Sequence, residues 1–290
     1  MNGLLLDTFD SRWRDLRAAR KACRKHFSPE AVHDLRVASR RLLALAELLR
    51  TAAPDAPVKR LRKALKAQLR AFDALRDTQV MRQALAGSVA AHPALKPVLR
   101  RLARHERSLR AGAEKQIRSE SARPRMRRVT DVRQALAETQ RAPAVARKAA
   151  DRAFGQVLAR DALLPPLRPA AIHRLRVAFK KFRYLAEVAA PALRAFPESL
   201  PSRRHAFQAA MGEVQDAEVL RAYLAGAGCP KSVIRFAERR LASAIAAFAE
   251  LRPCIATFWR ASTRAAFPWE ARHEPVPHPP RNRRRAGRQA

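Results

Sequence analysis

Residues 32 to 49 read VHDLRVASRRLLALAELL, and the pattern returns at residues 172 to 189 as IHRLRVAFKKFRYLAEVA. His33, Leu35, Arg36, Val37 and Glu47 recur at a constant offset of 140 as His173, Leu175, Arg176, Val177 and Glu187. Arg40 and Arg41 return as Lys180 and Lys181, so charge is kept where identity is not. Neither copy contains Gly or Pro, and both are dominated by residues that lose little on entering a helix, so both read as helices. At about 100° per residue, Leu35, Ala38, Leu42, Leu45, Ala46 and Leu49 share one stripe, while His33, Arg36 and Arg40 share the opposite side with Arg41 on the flank. In the second copy the apolar stripe is Leu175, Ala178, Phe182, Leu185 and Ala189. His173, Arg176 and Lys180 oppose it, with Arg183 and Tyr184 alongside. A single charged helix face is ordinarily just solvated, since surface substitutions change stability by only about 0.5 kcal/mol. A face kept in both copies points instead to a demand for cations.

A second motif repeats in the same order: LRDTQVMRQAL at 75 to 85 returns as VQDAEVLRAYL at 214 to 224, at an offset of 139. HxLRVxxRR in the first half and HxLRVxxKKFRY in the second resemble the two signature helices of the CHAD domain, the conserved-histidine α-helical domain, and the Asp-containing segments are similar to those that family carries in each half. The resemblance spans roughly residues 8 to 262. It implies an all-α fold of two antiparallel four-helix bundles related by a pseudo-twofold axis, an internal duplication, with a basic surface or channel that binds inorganic polyphosphate.

The expected organisation follows the chain. Residues 1–118 hold the first four helices, the third of them running unbroken from about Val58 to Val89, and residues 119–142 form a connector that is part helical. Residues 143–267 hold the second four, with Pro253 kinking or splitting the last. From Pro268 no core pattern remains, and residues 268–290 read as a disordered basic tail. Its six Arg against two Glu supply +4 of a formal net charge of +35, so the charge belongs mainly to the folded part.

Such a charge repels itself in the compact state and calls for an anionic partner. On charge alone a nucleic acid, an anionic membrane surface and a phosphate polymer all stay open. No apolar run approaches the roughly 18 residues of a membrane span, and the first ten residues lack the shape of a signal peptide, so a cytoplasmic protein is expected. Cys23, Cys229 and Cys254 have no metal-binding spacing.

A linear polyphosphate offers closely spaced oxyanions without bases or sugars, and helix positions three and four apart supply cations at matching intervals. Arg presents a planar fork to two phosphate oxygens and Lys a mobile point charge. The residues expected on the polyphosphate-binding faces are His33, Arg36, Arg40 and Arg41 in the first signature helix and Lys59, Lys63, Lys66 and Arg70 in the third helix. From the second half come His173, Arg176, Lys180, Lys181, Arg183, Tyr184 and His205. The repeated acids Glu47/Glu187 and Asp77/Asp216 read as groups that hold neighbouring cations in place. A metal at His33 is disfavoured because Asp34 becomes Arg174 in the second copy and Arg36 and Arg40 would repel a dication. There is no phosphate-cradling glycine loop and no repeated His-Asp pair, so no catalytic residue, metal or cofactor is expected and the chain reads as a binding protein, not an enzyme. Polyphosphate or polyhydroxyalkanoate granules are further expected partners. Non-specific binding of nucleic acid at low salt is the alternative, although the aromatic residues fall on apolar stripes and not on a stacking surface.

Overall fold

The computed structural model of the chain describes residues 3–49, 55–119, 122–137 and 142–270. These form ten α-helices joined by turns and short 3-10 segments, with no strand among the described residues. In order they are α1 (Leu4–Lys25), α2 (Pro29–Leu49), α3 (Asp55–Ala71), α4 (Asp73–Ala86), α5 (Lys96–Ser119), α6 (Ala122–Ala137), α7 (Ala142–Asp161), α8 (Pro169–Ala189), α9 (Leu200–Gly226) and α10 (Lys231–Leu251). The signature helices are α2 and α8. Ser28 starts α2 by accepting the Ala31 N–H on its hydroxyl at 3.1 Å, and Pro29 follows it at the first helical position. Pro169 likewise opens α8, there without a side-chain cap.

Along α2, Leu35, Ala38, Leu42, Leu45, Ala46 and Leu49 are buried, and along α8 Leu175, Phe182, Leu185 and Ala189 are buried as well. Helices α1 to α5 pack chiefly among themselves, as do α7 to α10, while α2 lies against α8 and α4 against α9. One apolar cluster runs from Leu5 and Phe9 through Leu42 and Leu45 to Phe179, Phe207 and Trp259. A smaller cluster joins Met81, Leu85, Leu95, Val98 and Leu102 to Leu220, Leu224, Val233 and Ala237. Both cores draw side chains from both halves of the sequence.

Two departures from the sequence reading, the break at Phe72 and the burial of Trp269, have local causes, whereas the helix in the connector and the break at Pro253 agree with it. The long third helix is interrupted at Phe72, whose ring is buried beside Phe27 at 6.2 Å between centroids. A fresh helix, α4, then begins at Asp73 and carries that carboxylate in its first turn. The connector contains a full helix, α6, because Val129, Val132 and Leu136 recur at helical spacing and are buried, with α3 and α1 as neighbours. At the other end, Pro253 stops α10 at Leu251 and the chain continues as a 3-10 segment, Arg252–Thr257. The core reaches beyond residue 267, because the Trp269 indole is buried against Phe196, Trp259 and Phe267. Residues 271–290 of the expected tail, like 120, 121 and 138–141 of the connector, lie outside the described residues.

Charge is organised around half-buried acids. Asp151 on α7 accepts the Trp259 Nε1–H and the Arg260 Nε–H, both at 2.8 Å, which ties the segment after α10 back to the bundle. Arg204 is 2% exposed, is ringed by Phe182, Phe196 and Trp259, and donates to the Phe258 carbonyl; burial pushes its guanidinium down to about 9. The repeated glutamates do hold cations. Glu187 pairs with Arg183 at 2.8 Å, Arg12 at 2.8 Å and Arg41 at 3.6 Å, the last two from the first half, whereas Glu47 pairs with Arg62 and with Lys66 at 3.6 Å inside its own half.

Candidate anion site where the signature helices meet

The polar faces of α2 and α8 turn toward each other, and α4 and α9 close the region. Arg36 and Arg40 from α2 and Arg176 and Lys180 from α8 form a chain of mutually repelling cations, Arg76 from α4 joins it beside Arg36, and Arg76, Arg176 and Lys180 all face Asp216 from α9, with Asp73 and Asp77 from α4 as the other acids. Cations outnumber carboxylates in this cluster. Only Arg36 is neutralised by contact: its Nη2 donates to Asp73 Oδ1 at 2.7 Å and its Nη1 to the Leu69 carbonyl at 2.9 Å. Among the described residues Arg40, Arg76, Arg176 and Lys180 form no ion pair, and Arg176 Nε is buried without a hydrogen-bond partner.

Crowding cations away from water is costly, and the protonation preferences record that cost. Burial, reinforced by Arg176 and Arg40, pushes the Lys180 amine down to about 7 despite Asp216. Burial likewise lowers Arg40, Arg76 and Arg176, with Arg36 adding to the effect on Arg40 and Arg76. His33 and Asp77 are exposed by area yet flanked by enough protein to lose hydration. The His33 imidazole is lowered by that loss and by Arg76, Arg40 and Arg36 against Asp34, and Asp77 and Asp216 are both raised chiefly by desolvation. A cluster of this kind gains more from an anion than water can give it, because the cost of stripping water from the cations has already been met in folding.

The remaining sequence-predicted positions lie elsewhere or play other parts. Tyr184 is buried, near enough to act on Arg40 and Arg176, and carries the Arg183 guanidinium over its ring at 4.6 Å. Arg183 is itself buried and committed to Glu187 and Gln208, and Arg41 is drawn to Glu187. On α3, Lys59, Lys63, Lys66 and Arg70 are exposed; Lys66 pairs with Glu47, and Lys63 lines a cavity of about 440 Å³ with Arg20, Arg60 and Arg128. Lys181 lines a separate cavity of about 540 Å³ with Glu47, Lys148 and Arg152. His173 and His205 are exposed on α8 and α9. The gathered set is therefore Arg36, Arg40, Arg176 and Lys180, with His33 at the edge.

Sequence reasoning missed Arg76, and it placed Asp73 only as a continuation of the Lys59, Lys63, Lys66 and Arg70 line on the third helix. Arg76 has Gln215 as its counterpart and Asp73 has Gly212, so neither stands out in the repeat. Proximity to the repeated Asp77 is the sequence cue that marks Arg76. The described residues contain no group of three or more His, Cys, Asp or Glu able to hold a metal, and no helix among them is long and apolar enough to cross a membrane.

Fold and site together define an all-helical protein with a half-buried cationic cluster assembled from both halves of its sequence. The chain belongs to the CHAD domain family, whose model matches residues 8–225. It shares its fold with the crystal structure of the CHAD domain from the plant Ricinus communis, at 20% identity over 87% of this chain and 91% of that one, with a TM-score of 0.66. No curated protein matches the chain.

Proposed function

We propose that this protein binds inorganic polyphosphate, gripping the polymer at the cluster of Arg40, Arg76, Arg176 and Lys180, and that it is a binding protein rather than an enzyme. The observation that carries the reading is the convergence of these four cations without an ion pair among them. Family membership supports it, since the CHAD resemblance implies a polyphosphate ligand. A flexible chain of phosphates can feed its oxyanions into a half-buried site between helices. A duplex, about 20 Å wide with its phosphates on the outside, meets only the exposed cations. Single strands gain affinity by stacking bases on aromatic side chains, and here every Phe, Trp and Tyr ring is buried or half-buried. Exposed cations such as Lys59, Lys63 and Arg70 add reach along the polymer, and attachment to polyphosphate-containing granules would follow from the same contacts.

Competition between long-chain polyphosphate and duplex DNA, at equal charge concentration and about 0.3 M salt, tests the reading. Polyphosphate should displace DNA at about one-tenth or less of the concentration at which DNA displaces polyphosphate. Equal or better competition by DNA would favour a general nucleic-acid-binding role.

The cluster also sets a pH dependence. With Lys180 near 7 in the free protein, an anion that favours its charged form draws in a proton as it binds, so affinity falls as pH rises through about 7, and the Lys180 contribution is complete below about 6. Protonation of His33, Asp77 and Asp216 acts in the same direction on acidification, since each step makes the site more positive. For a long polymer, whose internal phosphates stay ionised throughout, the expected loss between about pH 6 and pH 9 is up to about 10-fold. Titration calorimetry in buffers of different ionisation enthalpy should register proton uptake at neutral pH, and Lys180→Arg should remove most of it.

A further inference from the structure

The two halves of the cluster are not equivalent, and one position accounts for the difference. Taking α4 and α9 in the register set by their shared motif, Phe72, Leu75, Thr78, Met81 and Leu85 fall on Met211, Val214, Ala217, Leu220 and Leu224, and all ten are buried. In that register Asp73 corresponds to Gly212. Arg36 and Arg176 correspond in turn, and each approaches its respective position: Arg36 lies 2.7 Å from the Asp73 carboxylate, while a Cβ on Gly212 would lie 3.4 Å from Arg176 Nη2 and 3.6 Å from its Nε. The three heavy atoms closest to that missing side chain all belong to the Arg176 guanidinium.

We propose that Gly212 is a specificity-determining residue: by withholding the carboxylate that Asp73 supplies in the other half, it leaves Arg176 as the principal phosphate grip of the cluster, while Arg36 serves as a structural tie. The proposal rests on the polyphosphate reading above. A glycine inside a long helix costs roughly 1 kcal/mol relative to alanine. Gly212 is also buried, in a backbone conformation that needs no glycine, because its φ is not positive. What the missing side chain leaves behind is a guanidinium lying over bare helix backbone, with a buried Nε that no protein group satisfies. The two Nη nitrogens of Arg176, unlike the covered Nε, are not closed off and have no protein partner, so they can engage two phosphate oxygens at once. Arg36 has already spent one arm on Asp73 and the other on the Leu69 carbonyl. The anion is therefore held off-centre, toward α8 and α9.

Gly212→Asp and Gly212→Asn test this against wild type, using the full chain and long-chain polyphosphate in titration calorimetry, with thermal melts to establish that each variant is folded. The aspartate should recreate the Arg36–Asp73 arrangement at Arg176 and weaken binding at least about 10-fold, whereas the asparagine, equal in size and neutral, should weaken it no more than about 3-fold. Asp73→Asn provides an independent arm that does not depend on introducing a side chain at 212: by releasing Arg36 from its carboxylate it should tighten binding about 3- to 10-fold. Wild-type affinity in Gly212→Asp, an equal loss in Gly212→Asn, or unchanged or weaker binding in Asp73→Asn would each overturn the proposal while leaving the polyphosphate reading intact. Failure of the wild-type protein to bind polyphosphate would overturn both, and that result is visible before any variant is compared.

Discussion

Replacing Arg40, Arg176 and Lys180 together with alanine should weaken binding of long-chain polyphosphate by about 100- to 1,000-fold. Charge-assisted hydrogen bonds contribute about 1.5 to 3 kcal/mol when fully made, and a crowded, partly hydrated row delivers roughly half of that per cation. The three losses then sum to roughly 2 to 4.5 kcal/mol, a span centred on that range of fold-changes. The same substitutions should leave the fold intact, since they remove mutually repelling, desolvated charges that form no ion pair, and Asp216, which loses two nearby cations, keeps Arg76. Arg36 is left in place because its removal would abandon Asp73 and the Leu69 carbonyl, confusing a folding defect with a binding defect. Calorimetric titration together with a thermal melt separates the two. A triple variant that binds within about 3-fold of wild type would remove the cluster from the site.

The second large effect is on stability. Asp151→Ala should cost about 3 to 5 kcal/mol, because the side chain is 7% exposed and its loss strands the Arg260 guanidinium, 13% exposed, together with the buried Trp259 N–H. The segment it anchors carries Trp259, Phe267 and Trp269 into the aromatic core beside Phe182, so the loss should spread into α8. Denaturant unfolding reads this as a lower midpoint. A shift worth less than about 1 kcal/mol would mean that the segment is held by packing alone.

These expectations draw unequally on sequence and on structure. The helical class and the apolar faces of α2 and α8 follow from a helical periodicity strong enough to survive tertiary packing, and Pro29, Pro169 and Pro253 mark ends that the chain observes. The break at Phe72 was not legible, because no Gly or Pro marks it; it depends on where a single ring finds room next to Phe27. The same holds at Trp269, which stands in a proline-rich stretch without periodicity and is buried only because Phe196, between α8 and α9, and rings from the segment after α10 leave a slot for it.

At the site, repetition identified the residues that both halves share and was blind to those that differ. It singled out Arg36 and Arg176 as equivalents, which they are in position but not in partnership, since one faces a carboxylate and the other a glycine. Arg183, repeated in neither identity nor role, reads in sequence as one more surface cation, yet it is buried between Glu187, Gln208 and Tyr184. Helix periodicity tells which face a cation occupies. Whether that cation is spent on a neighbour or left free depends on contacts from other helices, and those are long-range.

A crystal structure of the full chain with long-chain polyphosphate should show one polymer gripped by cations from both halves where α2 and α8 meet. Phosphate oxygens should lie within about 3 Å of Arg40, Arg176 and Lys180, with the closest approach at Arg176. An ordered polymer lying along α3 or α5, with the cluster between α2 and α8 holding no phosphate, would contradict that grip.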